Sequence, residues 1–187
     1  PPSSTLFPYT TLFRSAAVEN YTIGDDTTNA RTVTVSAAGT SVTANTANDA
    51  VTFNLGNLTY TGTITGEGTT DDILSLTSGA NISGGTITNV EALTLANGAS
   101  VTMTSVQHAG FTGTVTAAGT ETIAITGNGT VTTLAAVENS TIGDDTTNAR
   151  TVTVAAAGTS VTANTANDAL PFNLCNLNST VTNTDAG

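Results

Sequence analysis

The chain contains two nearly identical segments, residues 16–57 and residues 135–176, which agree at 37 of 42 positions and lie 119 residues apart. A weaker repetition runs between them, because a Val-Glu pair begins at Val18, Val90 and Val137. The intervals of 47, 72 and 119 residues are near multiples of about 24 residues, the size of one solenoid coil. The repeat therefore predicts stacked units, each of which buries its apolar face only against its neighbours.

Within these units, short runs alternate between apolar and polar residues with a period of two, as half-buried strands do. Gly, Asn or Asp bounds the runs and favours turns. The clearest apolar pairs and triplets are Val33/Val35, Val51/Phe53/Leu55, Leu74/Leu76, Leu93/Leu95 and Ile123/Ile125. We predict an all-β fold, a parallel β-solenoid (β-helix) over residues 16–187. The alternative is a row of β-sandwich repeats, whose cores usually take a Trp anchor, and this chain has no Trp.

The charge balance excludes several classes of function. Three basic residues stand against 14 acidic ones, which gives a formal net charge of -11. Nucleic-acid binding needs a basic patch to displace phosphate counterions, so no nucleic-acid partner is expected.

No apolar run approaches the roughly 20 residues of a spanning helix, so no membrane insertion is expected. A single cysteine cannot form an internal disulfide.

Residues 1–15 look foreign to the rest of the chain. Residues 5–15 read TLFPYTTLFRS, which resembles the in-frame translation of an adapter oligonucleotide used in short-read sequencing. The segment is rich in aromatic residues and ends where the repeat begins, at Ala16. We therefore predict that residues 1–15 are an artefact without coil register, and that the chain is a gene fragment assembled from sequence reads.

One stretch of the repeat resembles a known class of proteins. An Asp-x-Leu-x-Leu strand at residues 72–76 is followed by Gly84-Gly85 and by Asn-Val-Glu-x-Leu-x-Leu at residues 89–95. This pattern is similar to the repeats of large secreted bacterial β-strand-repeat adhesins and S-layer-like proteins related to RTX proteins. The resemblance implies an extracellular or cell-surface, type I-secreted structural or adhesive protein. The calcium-binding RTX nonapeptide is not intact, since the nearest match, at residues 66–73, has its spacing wrong by one.

Three acidic pairs are candidate metal ligands: Asp25-Asp26, Asp71-Asp72 and Asp144-Asp145. Turn carboxylates, amide oxygens and backbone carbonyls can together supply the six to eight oxygens that calcium prefers. Weak calcium binding is therefore one interpretation. The other is that Asp and Asn form turns and keep the surface soluble.

No set of residues predicts a reacting centre, so we expect no enzyme. His108 and Cys175 are the only residues of their types, and neither has a sequence pattern that would supply a catalytic base or a zinc site. We expect His108 at the surface. Paired carboxylates can hydrolyse glycosides, and a fragment of a β-helix carbohydrate-active enzyme is therefore kept as an alternative.

Five Thr-x-Thr units place two hydroxyls on one face of a strand. They begin at Thr32, Thr63, Thr86, Thr114 and Thr151. Ice-binding solenoids carry such arrays, so an ice-binding solenoid is a further alternative. The uneven spacing of the units predicts a broken array, and Thr is also an ordinary solvent-facing strand residue.

The sequence favours a stalk or lattice segment of a bacterial extracellular surface protein. Cell-surface or matrix partners are expected to bind regions outside this fragment, and open solenoid ends could allow self-association.

Overall fold

The computed structural model describes residues 11–13, 20–24, 30–45, 50–68, 71–143, 151–163, 172–174 and 179–183. Thr, Val and Ile dominate the extended segments because branched side chains suit a pleated surface. The strands in chain order are β1 (Thr11–Phe13), β2 (Asn20–Gly24), β3 (Arg31–Val35), β4 (Ser41–Asn45), β5 (Val51–Gly56), β6 (Thr63–Thr65), β7 (Ile73–Leu76), β8 (Thr86–Thr88), β9 (Ala92–Leu95), β10 (Ser100–Thr104), β11 (Val115–Thr116), β12 (Thr122–Thr126), β13 (Val131–Thr132), β14 (Asn139–Ile142), β15 (Val152–Val154), β16 (Ser160–Ala163), β17 (Phe172–Leu174) and β18 (Thr180–Asn183). One short helix, α1 (Ser105–Gly110), lies between β10 and β11.

The strands form four parallel sheets that define a β-solenoid. Sheet A has the order β1-β3-β5-β7-β9-β11, and sheet B has the order β2-β4-β6-β8. Sheet C has the order β10-β12-β14-β16-β18, and sheet D has the order β13-β15-β17. Each strand pairs with the next strand of its own sheet, one coil away along the chain, which confirms the predicted parallel β-solenoid and excludes the sandwich alternative.

Coil length follows from the register of sheet A. Val33 pairs with Phe53, Phe53 with Leu74, and Leu74 with Leu93. The differences in residue number are 20, 21 and 19, so the predicted unit of about 24 residues was too long. The Val-Glu intervals misled because the pairs are not equivalent points of the coil, since Glu91 precedes β9 of sheet A and Glu138 precedes β14 of sheet C.

The twin repeats build equivalent strands on different faces. Strand β3 lies in sheet A and its twin β15 lies in sheet D, while β2 and its twin β14 lie in sheets B and C. Val33 and Val152 occupy equivalent positions in the two copies, and both side chains are buried. In each copy this valine pairs with a phenylalanine, Val33 with Phe53 and Val152 with Phe172.

The core is a set of ladders of inward-facing side chains, which are apolar except for Ser140 in one of them. In sheet A, Val33, Phe53, Leu74 and Leu93 stack in register and are almost fully buried. Sheet C contributes two further ladders, which are Val101–Ile123–Ser140–Val161 and Met103–Ile125–Ile142–Ala163. Each coil therefore buries its apolar face on the coils above and below it.

The N-terminal segment is partly integrated. Thr11–Phe13 forms β1, which pairs in parallel with β3 and aligns Thr11 with Val33. The expectation that residues 1–15 have no coil register was therefore wrong for these three residues. Backbone ladder bonds do not depend on side-chain identity, so an extended Thr-Leu-Phe segment can join an available sheet edge. The adapter origin stays a prediction.

Candidate functional site

Of the three predicted acidic pairs, only Asp71-Asp72 lies within the described residues; Asp25, Asp26, Asp144 and Asp145 lie outside them. The two neighbouring carboxylates face different environments. Asp71 is exposed, whereas Asp72 is 0 % exposed at the corner that leads into β7. The pair therefore does not present two free carboxylates to one ligand.

Both carboxylate oxygens of Asp72 accept backbone hydrogen bonds. Oδ1 accepts from the N–H of Val51 at 2.6 Å, and Oδ2 accepts from the N–H of Glu67 at 2.5 Å. Its backbone carbonyl accepts from the N–H of Ala92 at 2.9 Å. Asp72 thus connects the coil before it, its own corner and the coil after it. Buried backbone donors need such partners because leaving them unpaired is costly.

Burial raises the pKa of Asp72, while the hydrogen bonds from Val51 and Glu67 lower it and the nearby charges of Glu91 and Glu67 raise it. Glu91 follows Asp72 in the ladder, because Ile73 pairs with Ala92. Oε2 of Glu91 is buried and has no hydrogen-bond partner in the described part of the chain. This corner therefore brings the carboxylates of Asp72, Glu67 and Glu91 near one another.

Two further carboxylates bond the coil before them in the same way. Glu121 is 0 % exposed, and its Oε1 accepts from the N–H of Gly98 at 3.1 Å. Oε2 of Glu138 accepts from the N–H of Glu121 at 3.0 Å, and this bond lowers the pKa of Glu138. We call Asp72, Glu121 and Glu138 the carboxylate clamps. Each joins its own coil to the N–H of a residue one coil earlier.

The clamps leave little coordination capacity for a metal. No group of three or more His, Cys, Asp or Glu side chains that could hold an ion occurs in the ranges described above. Both carboxylate oxygens of Asp72 accept hydrogen bonds from backbone N–H groups, as those of an Asp at a turn or corner do. The alternative interpretation of the acidic pairs, as turn residues, fits Asp72.

The polar faces of the sheets carry regular columns of hydroxyl and amide side chains. On sheet B, the pairing places Thr22, Thr43, Thr65 and Thr88 in one column. The same pairing, extended by one residue at Thr63, makes a second column of Asn20, Ser41, Thr63 and Thr86. On sheet C, Thr102, Ala124, Thr141, Thr162 and Thr182 form a column across five strands. No charged residue lies in any of these columns.

The five Thr-x-Thr units do not form one continuous array, as their uneven spacing predicted, because they are divided among sheets A, B and D. The units at Thr63 and Thr86 align directly on sheet B. The unit at Thr32 lies on sheet A, and that at Thr151 leads into sheet D. The five units therefore do not share one face; the column on sheet B is completed by Thr22 and Thr43, which the sequence pattern did not single out.

His108 was predicted at the surface and is instead 3 % exposed, within α1. Burial lowers its pKa to about 4. The sequence does carry a signal for this helix, since Thr104 and Gln107 form a capping box of the S/T-x-x-E/Q type. Cys175 lies outside the described residues.

Comparison with protein-family models, curated protein sequences and solved structures finds no match. The fold itself places the chain among parallel β-solenoid repeat proteins. No helix in the described ranges is long and apolar enough to cross a membrane.

Proposed function

We propose that the chain is a structural segment, a stalk or lattice element, of an extracellular bacterial surface protein with an adhesive role. The observation that carries this proposal is the uninterrupted parallel pairing from coil to coil, as in sheet A from β1 to β11. A fold built by stacking extends along one axis as coils are added. Such a fold suits a spacer that holds a binding region away from a cell.

The carboxylate clamps support a load-bearing role. Asp72 bonds Val51, Glu121 bonds Gly98, and Glu138 bonds Glu121, in each case across the boundary between two coils. A charged acceptor makes a stronger hydrogen bond than a neutral one. These bonds therefore add to the ladder bonds that resist separation of coils.

Single-molecule pulling on the full chain, held at its two ends, tests the mechanical part of this proposal. A stalk should unravel in steps of one or a few coils, each step releasing about 70 Å for a coil of some 20 residues at about 3.5 Å per residue. The Asp72→Ala variant should lower the force of some steps, and the exposed-site control Asp71→Ala should not. Loss of all resistance in one low-force event would count against a stalk.

The flanking gene sequence tests the biological class. A type I secretion region next to this repeat would support a secreted adhesin or S-layer-like protein, with partners bound outside this segment. A neighbouring lyase or hydrolase domain would instead support the enzyme alternative.

Ice binding is a second candidate function, and the columns on sheet B favour it. Thr22, Thr43 and Thr88 are exposed in one of them. Strands in a sheet lie about 4.8 Å apart, and alternate residues on one strand lie about 6.7 Å apart. The face is thus a regular, uncharged array of hydroxyl and methyl groups, which matches a periodic ligand better than a small molecule.

Thermal hysteresis and inhibition of ice recrystallisation test this second candidate. The wild-type chain should show both activities, and Thr43→Tyr, at the centre of sheet B, should abolish them. Thr34→Tyr on sheet A is the matched control and should retain activity. Absence of hysteresis in folded wild-type protein would reject ice binding and leave the structural proposal untouched.

Calcium binding is proposed only for the two TIGDDTTNAR segments, which contain Asp25-Asp26 and Asp144-Asp145. In the first copy, the guanidinium of Arg31 donates to the carbonyl of Gly24. This bond brings together the two ends of the acidic segment.

A further inference from the structure

Helix α1 occupies the position of a strand between sheets B and D. It contacts β8, the last strand of sheet B, and β13, the first strand of sheet D. Strands β8 and β13 do not pair with each other. On this side of the solenoid, α1 is therefore the connection between the first half of the coils and the second.

Side-chain hydrogen bonds hold α1 to both halves. Nε2 of Gln107 donates to the carbonyls of Ile82 at 2.7 Å and Gly85 at 2.9 Å, in the coil before. The hydroxyl of Ser105 donates to the carbonyl of Asn128, in the coil after. A helix of six residues has little stability of its own, so these tertiary contacts maintain it.

Sheets A and C both continue past the level of α1. In sheet A, β9 pairs with β11, and in sheet C, β10 pairs with β12. Sheet B ends at β8 and sheet D begins at β13. Helix α1 therefore fills the gap between sheets B and D on one side of a solenoid that the other two sheets hold together.

His108 is the titratable group at this junction. It is 3 % exposed, and its Nε2 is buried with no hydrogen-bond partner among the described residues. Helix α1 contacts β8, β10, β12 and β13, and none of these strands carries an ionisable residue. His108 is also the only ionisable residue of α1 itself. A proton on this imidazole would therefore be a buried charge without a counter-charge, which is strongly unfavourable.

We propose that α1 is an acid-labile joint, at which protonation of His108 expels the helix from between sheets B and D and opens that side of the solenoid, while sheets A and C stay paired. The ligand of this site is the proton. The inference rests on the solenoid fold and on α1, and it holds whether the chain serves as a stalk or binds ice.

The direction of the effect follows from the burial of His108. Burial lowers its pKa from 6.5 to about 4, so the folded helix favours the neutral imidazole. The stability that this preference contributes is complete above pH 6.5 and is lost as the pH falls toward 4. The linkage relation gives an increase of about 20-fold in the open fraction of α1 between pH 7 and pH 5.

Hydrogen exchange on the full chain tests the proposal. After correction for intrinsic rates, protection of residues 105–112 should fall about 20-fold from pH 7 to pH 5 in wild type. Protection of the sheet A strand β9 should stay unchanged over the same range. His108→Phe keeps a buried ring and removes the proton site, so its α1 protection should not depend on pH. Equal pH dependence in wild type and His108→Phe would overturn the proposal.

A second measurement keeps the test decisive if His108→Phe fails to fold. The chain has one histidine, so its imidazole resonance in an NMR titration of wild type is unambiguous. It should titrate well below pH 6.5, and the loss of α1 protection, which begins near pH 6.5, should level off at the pH where this resonance titrates. A histidine that titrates near pH 6.5 while α1 stays protected would overturn the acid-labile joint.

Discussion

Oδ1 of Asp72 accepts a hydrogen bond from the backbone N–H of Val51, at 2.6 Å and 21 residues earlier in the chain. The bond crosses from one coil to the next at the corner where β5 and β7 begin. Together with the bond from Glu67 to Oδ2, it engages both oxygens of the carboxylate. The carboxylate of Asp72 therefore bonds one coil to the next, whereas the sequence predicted a turn residue or a metal ligand at this position.

Replacing Asp72 should destabilise the fold far more than replacing its neighbour. Asp72→Ala leaves two backbone donors without acceptors, and we expect a loss of about 3 kcal/mol in the free energy of unfolding. Asp72→Asn keeps one acceptor oxygen and should lose about half as much. Urea unfolding at pH 7 measures both variants, with exposed Asp71→Ala as the control. Equal losses at positions 71 and 72 would contradict the clamp.

The carboxylates of Asp72 and Glu138 should respond to pH in opposite directions. Because the pKa of Asp72 is raised above 3.8 in the folded chain, folding favours the protonated carboxyl. This preference stabilises the fold fully below pH 3.8, and the stabilisation is lost as the pH rises through the pKa of the folded chain. Because the pKa of Glu138 is lowered below 4.5 in the folded chain, folding favours the ionised carboxylate. This preference stabilises the fold above pH 4.5, and the stabilisation is lost as the pH falls through the pKa of the folded chain.

Unfolding curves of Asp72→Asn and Glu138→Gln between pH 3 and pH 7 check these signs. The stability difference between wild type and Glu138→Gln should shrink as the pH falls, whereas the difference for Asp72→Asn should shrink as the pH rises. If the two stability differences changed in the same direction with pH, the direction of the pKa shift assigned to one of these carboxylates would be wrong.

Ser140 should be a site where an apolar substitution stabilises the protein. Its Oγ is buried without a hydrogen-bond partner in the part of the chain that the structure describes. Its ladder neighbours, Ile123 and Val161, are fully buried and apolar. Ser140→Ala removes an unpaired hydroxyl and should raise the free energy of unfolding by about 1 kcal/mol.

Denaturant unfolding of Ser140→Ala measures this gain, and Thr141→Ala is the matched control on the outward face of the same strand. The control should change stability by less than about 0.5 kcal/mol. A loss of stability in Ser140→Ala would mean that its hydroxyl has a partner after all.

Calcium should stabilise the chain if the acidic pairs of the twin repeats bind it. At free calcium one hundred times the dissociation constant, a site adds about 2.7 kcal/mol to the free energy of unfolding. Thermal melts in calcium and in magnesium at equal ionic strength, on wild type and on the Asp25→Asn/Asp144→Asn double variant, isolate a specific site. Equal stabilisation by both metals, with the double variant responding like wild type, would mean that cations only screen the net charge.

Local periodicity predicted the strands well, because one buried face forces apolar residues to alternate with polar ones. The Val33/Val35 and Ile123/Ile125 pairs lie in β3 and β12, with their side chains buried as expected. The internal repeats also predicted the stacked architecture, although the two copies place equivalent strands in different sheets.

The failures concern contacts between residues that are distant in the sequence. The role of Asp72 depends on Val51, and the burial of His108 depends on β8 and β13 packing around α1. Neither of these contacts can be recognised from the sequence immediately around Asp72 or His108. The register of the Thr columns on sheet B was missed for the same reason, because turn lengths of individual coils decide which hydroxyls align.

Gly62 should tolerate no larger side chain, because it lies against the buried ring of Tyr60. The hydroxyl of Tyr60 donates to the carbonyl of Thr40 at 2.5 Å. A Cβ at position 62 would overlap that carbonyl oxygen and come within 2.8 Å of the Tyr60 hydroxyl. Gly62→Ala should therefore lower the free energy of unfolding by about 1–3 kcal/mol.

Gly39→Ala is the control, since a Cβ there meets nothing within 4 Å, and it should be neutral or slightly stabilising. Urea unfolding of the two variants decides the matter: if Gly62→Ala is as stable as Gly39→Ala, the coil at Tyr60 is packed less closely than the structure shows.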